Sequence, residues 1–113
     1  MSDSLNGFES REKTFEAKYL HDEELHFRIK VRRNHLFGLW AAQLLGYTGD
    51  KAEGYTEEII MMETQKSHLD DVLHKVLKDF QDANVGISEH RVRKKLAKCW
   101  GIAEKMIMND EEF

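Results

Sequence analysis

From Phe8 to Gly46 the sequence contains no proline and reads as one near-continuous helix whose character changes halfway along. Phe8, Phe15, Tyr19 and Leu20 are the large apolar residues of the stretch from Phe8 to Glu24, set among nine charged residues. At 100° per residue, Phe8, Phe15 and Tyr19 fall within about 40° of one another, a stripe too narrow to bury a helix in its own fold. From Phe27 to Leu45 the helix becomes apolar almost all round. Phe27, Ile29, Val31, Leu36, Phe37, Leu39, Trp40, Ala41, Leu44 and Leu45 point in many directions, as expected of a central, enclosed helix. The back half is therefore expected at the middle of a small core, and the front half as an arm that binds something else.

A chain of 113 residues can build one domain with a modest core. The absence of proline, together with 34% charged residues and abundant Leu, Lys, Glu and Ala, favours an all-α fold. A net charge of −4 argues against a nucleic-acid binder of the strongly basic kind. Cys99 is the single cysteine, which excludes an internal disulfide and fits a reducing compartment. The first residues hold no apolar run and their charges are mixed, unlike a secretory or transit segment. No segment approaches the roughly 20 apolar residues that span a bilayer, so a cytoplasmic protein without direct membrane insertion is expected.

Turn signals divide the chain into four helices. Asn6 with Glu9 forms a capping pair for the first, and Gly46 ends it. Asp50 with Glu53 repeats the pattern for a second helix to about Glu63, whose inner stripe is Ala52, Tyr55, Ile59 and Met62. Ser67 with Asp70 opens a third, with Leu69, Val72, Leu73, Val76, Leu77 and Phe80 facing inward; Asn84-Val85-Gly86 stops it. Ser88 caps a fourth, whose inner face is Val92, Leu96, Cys99, Trp100, Ala103, Met106 and Ile107. Short connections make sequence-adjacent helices expected neighbours. The expected architecture is a four-helix bundle with a long first helix and a mobile N-terminal arm, divided into residues 1–24 and 25–113.

Enzyme chemistry is hard to find: there is neither a G-x-x-x-x-G-K-[ST] phosphate loop nor a G-x-S-x-G nucleophile elbow. Cys99, beside Trp100 on an inner face, reads as a packed apolar residue rather than a nucleophile, which would need an adjacent base. Glu23-x-x-His26 and Asp71-x-x-His74 superficially match the i, i+3 pairs of carboxylate-bridged di-metal bundles. Such sites need two further inward carboxylates, and the inner stripes of the second and fourth helices offer none, so no metal is expected.

Arg91, Lys94, Lys95 and Lys98 are spaced i, i+3, i+4, i+7 and share one face of the fourth helix, with Arg93 nearby. One reading is a site for the phosphate of a nucleotide or of RNA. The other is a solvated face opposite the Val92–Leu96–Ala103 stripe, complementing the acidic second and third helices. No aromatic residue interleaves with these charges in the sequence to stack bases.

Five segments together resemble a known family. They are Phe8-Glu9-Ser10-Arg11-Glu12-Lys13, Phe15-Glu16-Ala17-Lys18-Tyr19, His21-Asp22-Glu23-Glu24-Leu25-His26-Phe27, Val31-Arg32-Arg33-Asn34 and Gly38-Leu39-Trp40-Ala41-Ala42-Gln43-Leu44-Leu45-Gly46. They resemble the zeta-type ATPase inhibitor subunit of alphaproteobacterial F-type ATP synthases. The likeness is strong over Phe8 to Tyr55 and looser but consistent beyond it. It implies a four-helix bundle that is not an enzyme and needs no cofactor. It implies an N-terminal segment, mobile when free, that inserts as a helix at a catalytic alpha/beta interface, reaches the gamma rotor and blocks ATP hydrolysis. The protein would be monomeric when free and peripheral at the inner membrane through the ATP synthase. Weak binding of ATP or ADP by some members would give the basic face of the fourth helix a role, and a nucleotide-binding regulatory domain is the alternative function.

The residue pattern supports the inhibitory reading at one point. A charged helix with a thin aromatic stripe buries too little surface alone to offset its ordering entropy. Docked in a groove, Phe8, Phe15 and Tyr19 would leave water, while Arg11, Glu12, Lys13 and Lys18 flank them and set register.

Overall fold

The computed structural model describes the backbone of residues 2–64 and 69–111 and the side chains of residues 21–62 and 71–110. Four helices follow one another: α1 (Ser2–Leu44), α2 (Gly49–Thr64), α3 (Leu69–Asp82) and α4 (Glu89–Glu111). No strand occurs among the described residues, and the fold is all-α, as the composition implied.

Helix ends follow local chemistry. Gly46 adopts φ +79°, and the Tyr47 N–H donates to Ala42 O at 2.9 Å while the Gly46 N–H donates to Gln43 O at 3.1 Å. That pair of bonds satisfies two of the last carbonyls of α1. Helix α3 ends in the same way with Asn84, at φ 57°, in the left-handed position: Val85 N–H to Phe80 O is 2.8 Å and Asn84 N–H to Gln81 O is 3.1 Å. Ser88 caps α4, its Oγ accepting from the Arg91 N–H at 3.2 Å. Two expected caps move. Helix α1 runs through Asn6 and begins at Ser2. Helix α2 is entered at Gly49, whose φ of +57° makes the turn, so Asp50 lies inside the first turn and favours it through the helix dipole. The Ser67 cap lies outside the described residues.

The main core takes Phe37, Ala41 and Ala42 from α1, and Tyr55 and Ile59 from α2. Val72, Leu73, Val76 and Phe80 of α3 and Val92, Leu96 and Cys99 of α4 complete it. The backbones of α2 and α4 run close along α1, whereas α3 lies nearest α4. Sequence-adjacent α2 and α3 are therefore not packed as intimately as expected. Side chains link them instead: the Tyr55 hydroxyl donates to Asp79 Oδ2 at 2.7 Å, and Lys75 Nζ lies 3.3 Å from Asp79 and 3.5 Å from Glu58.

The back half of α1 is less enclosed than its apolar content predicted. Phe27, Leu39 and Leu44 are each 40% or more exposed, because close neighbours on two sides leave a third side open. Met106 of α4, expected inside, is also exposed. Conversely, among the described residues the polar Arg33, Asn34 and Thr56 are buried. Asn34 joins α1 to α2 by donating Nδ2–H to Ile59 O at 3.2 Å, and its Oδ1 accepts from Arg33 Nε and Nη2 at 3.0 and 2.8 Å. Thr56 Oγ1 donates to Ala52 O at 2.8 Å. Their polar atoms are matched, which is what makes their burial tolerable.

Candidate functional site

The arm of α1 is helical in its backbone from Ser2 onward and continuous with the bundle. The side chains of Phe8, Arg11, Glu12, Phe15, Lys18 and Tyr19 lie outside the described residues. What is described is the arm's root. His21, Asp22, Glu23 and Glu24 are exposed, Leu25 is half-buried, and Ile29 is the first buried side chain. Ile29 packs with Ala103 and Ile107 of α4 in a small cluster, with Leu25, Leu36 and Trp100 against it. Beyond the four-helix core, α1 is thus held by α4 through one apolar seam.

The structure gathers Arg91, Lys94, Lys95 and Lys98 around one shallow depression of about 400 Å³. Its floor is apolar, made by Trp40 and Leu44 of α1 and Ile87 before α4. Lys95 is half-buried, with Nζ 5.9 Å from the centroid of the Trp40 ring, while the other three cations are exposed. Among the described residues no carboxylate lines the depression. No aromatic residue interleaves with these charges along α4, but Trp40 stands beside them because it arrives from another helix. The hydrophobic floor could only have been anticipated by knowing that α1 and α4 lie side by side.

The two acid–histidine pairs do not converge. His26 meets the Trp100 ring edge-on, at 5.1 Å between centroids and 65° between planes. Asp71 and His74 are exposed on α3. Among the described residues no three His, Cys, Asp or Glu side chains gather to hold a metal ion. Cys99 is buried, and burial pushes its thiol pKa up against the lowering influence of Lys95, Arg33 and Lys98. A thiol held protonated in the core is a packing residue, as its place on the inner stripe implied. No helix among the described residues is long and apolar enough to cross a membrane.

No curated protein matches the sequence. The family model described as ATPase inhibitor subunit zeta matches residues 5–106, which takes in most of the arm, its root and α4 as far as Met106. A long helix rooted on a small all-α bundle, in a chain matched over that span, places this protein in the ATPase inhibitor subunit zeta family, whose role is regulatory.

Proposed function

We propose that this chain blocks ATP hydrolysis by an F-type ATP synthase by inserting residues 1–24 as a helix at a catalytic alpha/beta interface, far enough in to meet the gamma rotor. Residues 25–113 act as the platform that delivers the arm. The observation that carries this reading is α1 itself: one helix from Ser2 to Leu44 whose described side chains are exposed at 21–24 and first pack into a core at Leu25 and Ile29. A helix continuous with a packed bundle transmits the position of one to the other. Phe8, Phe15 and Tyr19 are the apolar anchors, and fully burying one such ring contributes on the order of 1.5–3 kcal/mol. Arg11, Glu12 and Lys18 set register through charge pairs with the partner. The chain acts by occupying an interface rather than by chemistry of its own, and it is peripheral at the membrane only through the enzyme it binds.

The test is ATP hydrolysis by the cognate F-type enzyme depleted of its own inhibitor. The full chain should inhibit; the chain lacking residues 1–24 should not, while remaining folded. Equal inhibition by both would sink the assignment of the arm.

Binding of a purine nucleotide at the basic face is the second reading, favoured by the aromatic Trp40 beneath Lys95. Charge reversal at Arg91, Lys94 and Lys95 should then abolish ATP binding in equilibrium dialysis and leave the arm's inhibition in place.

A further inference from the structure

On the other side of α4, away from the Lys94–Lys98 face, a cleft of about 510 Å³ opens between α1, α3 and α4. Its walls are apolar: Leu73 of α3 and Leu96, Ala97 and Trp100 of α4. The Trp100 Nε1–H is turned to Glu104, donating to Oε2 at 3.2 Å, so the ring presents carbon. Every polar group that the described residues place at the rim is a nitrogen base or cation: His26, Lys30 and Arg33 from α1, and Arg93 from α4. Among the described residues no carboxylate lines the cleft.

The four rim groups are not equivalent. Arg33 is buried, its Nε and Nη2 committed to Asn34, with the guanidinium carbon 5.6 Å from the Trp100 centroid. His26 rests on the same indole. Arg93 reaches Glu89 only at 3.7 Å in a half-exposed pair, which is weak by its exposure. Lys30 and Arg93 are thus the cations placed to meet an incoming charge, and Arg33 adds a fixed positive field behind them.

A volume of this size lies within the range of small-molecule sites, roughly 300–1,000 Å³. A bare anion would leave the apolar walls wet. A neutral hydrocarbon would desolvate the rim cations without pairing them. A polyphosphate asks for more available cations than two. We propose that this cleft binds a small amphipathic carboxylate, an acyl or similar apolar body against Leu73, Leu96 and Trp100 with its anionic head between Lys30 and Arg93. The site is distinct from the arm and from the α4 basic face.

The two tryptophans make the test internal. In a ¹H–¹⁵N spectrum of the full chain, the Trp100 indole N–H reports the cleft and the Trp40 indole reports the basic face. Decanoate below its micellar concentration should shift Trp100 saturably and leave Trp40 in place, and decanol should bind at least about tenfold more weakly. Lys30→Glu with Arg93→Glu should raise the decanoate Kd by about tenfold or more, and Ala97→Phe, which fills the cleft, should abolish the shift. Lys94→Glu should change nothing. Decanol or decyltrimethylammonium binding as tightly as decanoate would overturn the proposal by removing the role of the head group. Displacement of decanoate from Trp100 by ATP, or movement of Trp40 instead of Trp100, would overturn it in favour of a polyanion site or of the other face.

Discussion

Gly38 sits on the face of α1 that packs against Thr56 and Ile59 of α2. A Cβ there would lie 3.1 Å from Thr56 Cα, 3.3 Å from Thr56 Cγ2 and 3.4 Å from Ile59 Cβ. The nearest of these is a backbone atom, which cannot swing aside. Alanine would gain about 1 kcal/mol of helix propensity but meet an overpacking cost of about 1–3 kcal/mol, so Gly38→Ala should lower stability by about 1 kcal/mol. Gly101, within α4, has nothing within 4 Å of its would-be Cβ. Gly101→Ala should therefore raise stability by about 0.5–1 kcal/mol. Urea unfolding of the two variants gives opposite signs if the helix contact is as described. At the same scale, burial raises the pKa of Cys99, and burial with the hydrogen bond to Asp79 raises that of Tyr55. Each group keeps its proton in the folded chain after the unfolded chain has lost it. Their stabilising effect is therefore complete below the unfolded pKa and falls as pH rises past it. Unfolding free energy should fall as pH rises above the ordinary thiol value of 9.0 and fall again above the phenol value of 10.0, each group contributing at most about 1.4 kcal/mol per pH unit, and Cys99→Ala should remove the first fall. The core role of Cys99 was legible from its place on an inner stripe. The burial of Arg33 and Asn34 was not, because only a matched acceptor from another residue makes such burial tolerable, and sequence periodicity does not report one.

Among the elements, α1 and α3 share one way of stopping and use different residues for it. Gly46 takes its φ of +79° without steric cost, whereas Asn84 at φ 57° carries a Cβ in the left-handed region. Gly46→Ala should therefore cost about 1 kcal/mol, while Asn84→Gly should be neutral or slightly stabilising; thermal unfolding distinguishes them. Both stops could be read from the sequence, since the residues able to take that conformation are few. The starts were less legible. Asp50 is a good capping residue, but the glycine before it makes the turn, and Asp50 serves within the helix. Among the described residues the faces of α2, α3 and α4 followed the helical period closely, with Met106 as the exception; the Leu69 side chain, expected inside, lies outside the described residues. Helix α1 did not, because an apolar composition all round says nothing of how many neighbours a helix receives.

For the molecule as a whole, the proposed division into an arm of residues 1–24 and a body of residues 25–113 predicts that the two contribute separately to stability. Residues 21–24 are exposed, and both clusters of buried residues begin at or after Ile29. A chain lacking residues 1–24 should therefore melt within about 5 °C of the full chain and keep its helical circular dichroism per residue over the bundle. Loss of cooperative unfolding on truncation would mean that the arm packs on the body. The long axis of the molecule measures 71 Å against 26 and 22 Å across, so the arm sets its reach. The sequence by itself determined the class of fold, the four helices, their stops and three of their buried faces, because those rest on local dihedral preference and a 3.6-residue period. It also carried the family, through the motifs of α1. Only the tertiary structure decided that Trp40 lies beneath Lys95, that Arg33 and His26 meet Trp100, and that α1 keeps one side open. Those contacts join residues far apart in the chain, and no local preference encodes which helices become neighbours.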